Sequence, residues 1–375
     1  MKSINGASSI KRLKPWLWGA LAVASLWFLY KTFFALWFFG LLPHQATTAP
    51  VKEKFQISDF SPDGKKLYLD YCDTSRNCRI GWLDLAAQHV SLFTPQGTQN
   101  VMSSPSSSDD GKQLAVVIKE ATSNYETSQI GILDLEKNTY RPITKSTTFK
   151  EWPSFSHDGK KIIYGQANRK RGSGKTRYSE WDIYEVDIAT GVERRLTDFC
   201  FFIIDRPQYL DDNKMFVFSG EAPSCNFPVR GNTGIEGYNS YKKLYQDNTI
   251  FMMNGAETTL KPLFTNGSAS LGPTLSRDGK IFFISITNKM DGIKCCYYNY
   301  DLFEYENGSI HRLTNLKTMM SGLAVSSRGE WVAYLSDEQR NHNNELWMMD
   351  VKAGTHSRIN LGESGKFSLI NAVTN

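Results

Sequence analysis

The sequence lacks the short motifs that mark common hydrolytic and metal-dependent enzymes. No GxSxG nucleophile elbow, no HExxH zinc-binding helix and no CxxC pair with zinc spacing occurs in its 375 residues. Its six histidines are dispersed, at positions 44, 89, 157, 311, 342 and 356. Residues 172–176 mimic the end of a phosphate-binding loop, but the first glycine of that motif would fall on Arg169. We therefore predict no catalytic residue, no metal site and no cofactor.

Acidic residues are absent from the first 31 positions, which hold five basic ones: Lys2, Lys11, Arg12, Lys14 and Lys31. The rest of the chain carries 38 basic and 38 acidic residues, so the net charge of +5 comes from the N-terminus. A neutral body lacks the basic face that nucleic-acid binding requires, so we expect no nucleic-acid partner.

Residues 16–42 are almost wholly apolar, broken only by Ser25, Lys31 and Thr32. A helix of that length measures about 40 Å, against about 30 Å for a hydrocarbon core. A cleaved signal peptide is the alternative, because residues 22–24 resemble a cleavage site, but cleavage there would leave an exposed apolar tail. The basic residues before the run favour a cytoplasmic N-terminus.

These features predict a single-pass protein of the inner membrane with a periplasmic or otherwise extracytoplasmic body. The predicted parts are a cytoplasmic tail (1–14), a transmembrane anchor (15–42), a linker (43–54) and the body (55–375).

A five-residue pattern close to Ser-x-Asp-Gly-Lys recurs through the body. Its copies occupy residues 61–65, 108–112, 156–160, 210–214, 276–280 and 326–330. A short apolar run precedes each copy, the Asp-Gly pair suits a tight hairpin, and further β-rich runs follow. A period near 50 residues with four strands per copy predicts an all-β fold, a six-bladed β-propeller preceded by one transmembrane helix.

The clearest copy reads Pro-x-Phe-Ser-x-Asp-Gly-Lys-x-Ile, then Asp-Ile-Tyr-x-Val-Asp, then Arg-Arg-Leu-Thr, within residues 153–197. It resembles the TolB-type propeller repeat, which also occurs in noncatalytic domains of tricorn-like and prolyl-oligopeptidase-like enzymes. The resemblance covers about 320 residues. It implies a TolB-like member that differs from TolB itself by a membrane anchor and by lacking the additional N-terminal α/β domain.

The two faces of such a propeller differ in this sequence. Strands a to d run outward from the axis, so a–b and c–d turns share one face, here called the turn face. The b–c and d–a connections form the opposite loop face. The predicted b–c loops are long, at residues 119–129, 165–181, 219–248 and 285–299. Long loops on a rigid scaffold usually carry binding residues, so we predict that the loop face is functional.

All six cysteines fall in loop-face connections: Cys72, Cys78, Cys200, Cys225, Cys295 and Cys296. An even count in an oxidising compartment favours disulfides. Cys72 and Cys78 flank the first b–c hairpin and could bridge it, whereas Cys200 could bond Cys225. Cys295 and Cys296 would remain as a vicinal pair or as free thiols. Six cysteines allow 15 pairings, so this connectivity is a hypothesis.

The residues before the proline of each innermost strand predict the mouth of the central channel. The candidates are Ser103, Glu151, Trp152, Asp205 and Arg206, with Gln56 at the matching place in blade one. The group could bind a peptide terminus, a sugar or a cation. The alternative is an acid–arginine network that closes the ring.

The favoured function is a noncatalytic platform for an envelope protein or peptide, held at the membrane by the N-terminal helix. One alternative is a glycan hydrolase or lyase using Glu151 and Asp205, and another is the sensor domain of a membrane signalling system. The oligomeric state stays open. Ring closure also stays open, since residues 366–373 could add a strand and residues 52–57 could complete the last blade.

Overall fold

The computed structural model describes residues 54–72, 78–93, 101–119, 127–171, 177–210, 212–221, 248–255, 260–263, 269–289, 298–316, 318–337 and 345–359, with single residues 27, 223 and 225. The chain divides into two compact units, residues 1–51 and 52–375. Only Trp27 of the predicted tail and anchor is described, and residues 366–373 lie outside the description. Within the described residues, we find no helix with the length and apolar character needed to cross a membrane.

The described part of the second unit forms six antiparallel sheets, each made from strands that are consecutive in sequence. Blades one and two contain β1 (Lys54–Phe60), β2 (Lys66–Cys72), β3 (Cys78–Asp84), β4 (His89–Leu92), β5 (Val101–Ser107), β6 (Gln113–Lys119), β7 (Gln129–Asp134) and β8 (Thr139–Pro142). Blades three and four contain β9 (Phe149–Phe155), β10 (Lys161–Arg171), β11 (Arg177–Asp187), β12 (Glu193–Arg195), β13 (Ile203–Tyr209), β14 (Met215–Glu221) and β15 (Thr249–Asn254). Blades five and six contain β16 (Ser270–Leu275), β17 (Ile281–Lys289), β18 (Tyr298–Glu306), β19 (Ser309–Arg312), β20 (Met319–Val325), β21 (Trp331–Asp337), β22 (Glu345–Asp350) and β23 (Thr355–Arg358).

The predicted six-bladed propeller is confirmed, with one blade shorter than expected. Blade four has three strands in the described residues, and its outer edge is reduced to a bridge between Phe251 and Pro262. Proline has no backbone N–H to donate, which limits a regular ladder at that position.

Two of the predicted long loops are wrong in extent. Residues 165–171 and 177–181 belong to strands, because β10 and β11 remain paired as far as Arg171 and Arg177. Residues 285–299 likewise contain the paired ends of β17 and β18, where Lys289 lies opposite Tyr298. The connections at the loop face are therefore shorter there than the sequence suggested, and longer strands support them.

The recurring a–b turn is held by a serine and an aspartate. In blade three the Ser156 hydroxyl donates to Asp158 at 2.7 Å and accepts from the Lys161 amide at 2.9 Å. Gly159 has a φ of 67°, which favours glycine at that place. Blades one and two repeat the serine–aspartate bond at 2.6 and 2.7 Å. The repeated serine–aspartate turn explains why the repeat was visible in the sequence.

Each innermost strand bends at the same place. The pairing of the innermost strand with its neighbour shifts by a bulge in all six blades. The bulged residues Ser104, Trp152 and Arg206 have φ values of 54°, 57° and 48°. A bulge redirects a side chain, so these positions are turned relative to their neighbours, around the propeller axis.

The ring closes by side-chain packing between complete blades. Ile57 and Leu69 of blade one share a buried cluster with Ala324 and Leu335 of blade six. The suggestion that residues 52–57 complete the last blade is wrong for the described part, because Lys54–Phe60 pairs with β2 in blade one.

Candidate functional site

Two disulfide bonds join segments of the loop face. Cys72 bonds Cys78 across the ends of β2 and β3, and Cys200 bonds Cys225. Both pairings that the sequence favoured are confirmed. Cys295 and Cys296 lie outside the described residues.

An exposed apolar pair lies beside the second disulfide. Phe202 is 64% exposed and Ile203 is 43% exposed, at the start of β13 on the loop face. The Phe202 amide donates to the Glu221 carbonyl at 2.9 Å, which fixes the backbone below the exposed ring. Large apolar side chains presented on a fixed backbone are typical of protein-binding surfaces.

An aromatic group lies at the loop-face end of blade three, with Phe149 and Tyr178 partly buried and Trp181 buried. Phe149 stacks on Tyr178 with ring centroids 4.4 Å apart and meets Trp181 edge-on at 6.1 Å. The Lys119 ammonium lies 4.9 Å from the centre of the Phe149 ring. This group adds aromatic surface and one positive charge beside the channel entrance.

Arg206 closes the channel from the centre. It is buried, and its guanidinium reaches three other blades. Nη1 donates to the Leu323 carbonyl and, at 3.2 Å, to Thr274 Oγ1, while Nη2 donates at 3.3 Å to the Ile57 carbonyl. The guanidinium also lies 5.6 Å from the Trp152 ring centre. These bonds join blade four to blades one, five and six through carbonyl and hydroxyl oxygens, not through the acids of the network that the sequence left open.

Three carboxyl groups lie near Arg206 on the loop side. Burial raises the pKa of Asp70 to about 7, although the Ser104 amide donates to both carboxylate oxygens at 2.8 and 3.0 Å. Burial also raises the pKa of Asp205, with the positive charge of Arg206 opposing the rise. Asp205 Oδ1 has no hydrogen-bond partner among the described residues.

Glu151 is the third carboxyl group. Its burial raises the pKa, the Lys119 ammonium at 3.9 Å opposes the rise, and the Asp205 carboxyl adds to it. Burial favours the neutral form of these three acids, and a cation placed beside them would favour their ionised form.

The structure brings four of the predicted residues together: Glu151, Trp152, Asp205 and Arg206. Ser103 lies opposite Val117 in the strand pairing, and Gln56 is exposed opposite Asp70. None of the contacts described above involves these last two side chains.

Sequence reasoning missed three charged residues near the axis. Asp70 and Lys119 lie at or near the ends of second strands, and Asp59 follows the bulge in β1. For Lys119 the sequence does contain a signal, because the lysine directly follows five buried residues of β6. A charged residue at the end of such a buried strand indicates a position near the axis.

One group of potential metal ligands already has partners within the protein. Asp182, Asp198 and Cys200 lie close enough to share an ion. However, Cys200 is in a disulfide, and the Asp182 carboxylate accepts from Arg195 at 2.6 Å and Thr197 at 2.8 Å. Asp182 therefore joins strands within blade three.

Comparison with known proteins supports the TolB-type assignment. The chain is 27% identical to the Tol-Pal system protein TolB of Francisella tularensis subsp. holarctica over 282 residues, covering 74% of this chain and 54% of the relative. The match thus spans about half the length of the curated relatives. No family model matches the chain.

Solved structures agree on the fold. TolB from Acinetobacter baumannii superposes with a TM-score of 0.52 and 18% identity, covering 83% of this chain and 80% of that one. An oligogalacturonate lyase in complex with manganese gives 0.54 and 14%, with coverages of 82% and 78%. The expected six-bladed β-propeller fold is therefore confirmed, and it is shared with TolB.

Proposed function

We propose that this chain is a membrane-anchored, extracytoplasmic TolB-like propeller that binds an envelope protein or peptide at its loop face, without catalysis. The observation that carries the proposal is the exposed pair Phe202 and Ile203 beside the Cys200–Cys225 disulfide. Similarity to proteins of the Tol-Pal system supports an envelope partner.

The geometry lowers the entropic cost of association. A disulfide and a backbone hydrogen bond hold the segment around Phe202 before any partner arrives. Less conformational freedom is then lost on binding, and exposed aromatic side chains contribute strongly to interface affinity.

The channel entrance supplies the polar part of the proposed surface. Asp205 follows Ile203 in β13 and offers one carboxyl group, and Glu151 of the neighbouring blade three offers another. Trp152 and Arg206 form the base below them. Ser103 and Gln56 complete the proposed contact set. A peptide with an apolar anchor and a basic group suits this combination.

Two features support the proposed location. Disulfides persist in oxidising compartments, which supports a periplasmic body. The apolar residues 15–42 after a basic tail support a single inner-membrane anchor, with residues 43–54 as linker to the body at 55–375.

Matched surface variants test the proposal. Phe202→Ser with Ile203→Ser removes the loop-face pair, and Val192→Ser with Ile310→Ser removes turn-side residues of 64% and 38% exposure. Quantitative crosslinking and mass spectrometry in native membranes measure the yield of envelope-protein adducts. The Phe202→Ser, Ile203→Ser variant should reduce that yield about tenfold or more, which corresponds to a loss of about 1.4 kcal/mol in binding free energy. The control should stay within about twofold. Equal loss from both double variants would contradict the proposal.

A glycan-directed activity is the second candidate, because the raised pKa of Glu151 suits a general acid. Glu151→Gln with Asp205→Asn would then abolish turnover of a glycan panel while glycan binding persists. Absence of turnover in the unmodified protein would remove this candidate.

A further inference from the structure

A cavity of about 120 Å³ lies on the turn side of Arg206. Its wall includes Ser58, Asp59 and Trp152 from innermost strands, and its outer part includes a–b turn residues. It therefore faces away from the proposed loop-face surface. That volume exceeds what one water molecule needs and suits a guest of side-chain size.

Charged residues from three blades meet at the outer rim. The Asp109 carboxylate lies 3.2 Å from His157 Nδ1 and 3.4 Å from an Arg277 nitrogen. Arg277 also donates to the Asp109 carbonyl at 2.7 Å. The rim arginine is thus already paired, and does not supply an uncompensated positive charge to the interior.

The inner wall presents oxygen atoms. Ser58 Oγ has no hydrogen-bond partner among the described residues. The neighbouring Asp59 carboxylate accepts from the Ser107 amide at 2.8 Å and the Ser107 hydroxyl at 3.1 Å. Arg206 is the nearest cation named in the charge environment of Asp59, and it also offsets Asp70 and Asp205.

Charge balance decides which ligand this wall prefers. The acidic and basic side chains that line the cavity are those of Asp59, Asp109, His157, Arg206 and Arg277. Arg277 is paired with Asp109, whereas Asp59, Asp70 and Asp205 share the single positive charge of Arg206, so carboxyl groups are in excess around that guanidinium. A cationic guest reduces this excess, whereas an anionic guest adds to it.

We propose that the turn-side cavity binds an ammonium group on a short aliphatic chain, with the ammonium held by the Asp59 carboxylate and the Ser58 hydroxyl. An ammonium has three donors and suits these acceptor oxygens. The aliphatic part would pack against the Trp152 and Phe60 rings. The group could belong to a free small amine or to a lysine side chain. This inference does not depend on loop-face binding.

Shape-matched probes test the ligand chemistry on the purified full chain in detergent. n-Butylammonium should bind with a dissociation constant on the order of 1 mM, a range accessible to five heavy atoms, as read by ligand-observed NMR. Neutral n-butanol and anionic butanoate should bind at least about tenfold more weakly. N-acetyl-lysine methylamide distinguishes a lysine source, since it binds only if the rim admits a peptide backbone.

Variants locate the site. Asp59→Asn and, separately, Ser58→Ala should weaken n-butylammonium binding, the first by about tenfold or more. Glu136→Gln removes one negative charge from an exposed residue outside the cavity and should leave binding unchanged. Thermal melting checks that each variant is folded. Equal binding of butanoate, or unchanged n-butylammonium binding in folded Ser58→Ala and Asp59→Asn, would overturn the proposal.

Discussion

The carboxyl groups on the two faces of the propeller have different surroundings, and their pKa values shift in opposite directions. On the turn face, hydrogen bonds from serine hydroxyls lower the pKa values of Asp63, Asp110 and Asp158. On the loop side of the axis, burial raises the pKa values of Asp70, Glu151 and Asp205. The turn face therefore stabilises its charges locally, whereas the axis holds charges that depend on contacts between blades.

The faces also differ in how their backbone is held. Backbone and serine hydrogen bonds repeated from blade to blade close the turns. The loop face instead uses two disulfides and carries the exposed Phe202. Repetition is enough for a scaffold, while a binding surface needs features that differ between blades.

Arg206 offers the largest expected effect on stability. Arg206→Met removes the cation that connects four blades and leaves Asp59, Asp70 and Asp205 without it. We expect a loss of about 3–5 kcal/mol in the free energy of unfolding, measured by urea denaturation. The control Arg169→Met breaks an exposed pair with Glu180 and should cost about 1 kcal/mol or less. Similar losses for both would show that the central arginine does not close the ring.

Removing the loop-face disulfides should have the next largest effect. The sequence separations are 25 for Cys200–Cys225 and 6 for Cys72–Cys78. Loop-closure entropy predicts losses of about 3.5 and about 2.4 kcal/mol for the Cys→Ala pairs. Urea denaturation of each double variant measures the difference. A larger loss for the shorter loop would contradict the entropic account.

The opposite pKa shifts predict separate pH windows for the buried carboxyls near the axis and for the exposed carboxyls of the turns. Asp70 and Asp59, with pKa values raised to about 7 and about 6 from 3.8, bind more protons in the folded state. Stability should therefore fall as the pH rises from about 4 to about 7. The turn-face carboxyls have lowered pKa values, so their stabilisation is lost only as the pH falls below about 4.

Asp70→Asn tests this sign. Urea denaturation measures the free energy of unfolding at about pH 5 and about pH 7.5. It should decrease with pH in both proteins, and the decrease should be smaller by roughly 2 kcal/mol in the variant than in the unmodified protein. Glu151 and Asp205 keep a residual slope, and the control Glu136→Gln should match the unmodified protein. A stability that rises across this window would refute the assignment of buried carboxyls.

A single turn should show the smallest effect. Ser156→Ala removes the bonds to Asp158 and to the Lys161 amide, and should cost about 1 kcal/mol in urea denaturation. A loss as large as that from Arg206→Met would mean that the turns, rather than the axis, determine ring stability.

The sequence was sufficient for the fold because the turn requires particular residues. Gly159 and its equivalents need positive φ, and Ser156 and Asp158 bond within five residues, so the pattern is local and repeats. The ends of β10 and β11, at residues 165–171 and 177–181, resemble a solvated loop in sequence because basic residues are frequent there, whereas cross-strand pairing makes them strands.

The site was less predictable because it depends on long-range contacts. The sequence predicts Arg206 at the channel. Its hydrogen bonds to Leu323 and Ile57 depend on a bulge with positive φ at Arg206, and the residue type at that position does not indicate such a bulge. Asp59 was missed because its donor, Ser107, comes from the next blade. A local sequence motif carries no information about a hydrogen-bond partner in another blade.

Site-specific photocrosslinking at Phe202 and Val192 tests the central claim most directly, because these side chains are equally exposed, at 64%, on opposite faces. A photoreactive phenylalanine analogue is placed at one position or the other in the full chain within native membranes. The account predicts a discrete envelope-protein adduct at position 202 and none of comparable yield at position 192. The same adduct at equal yield from both positions, or only from position 192, would contradict binding at the loop face.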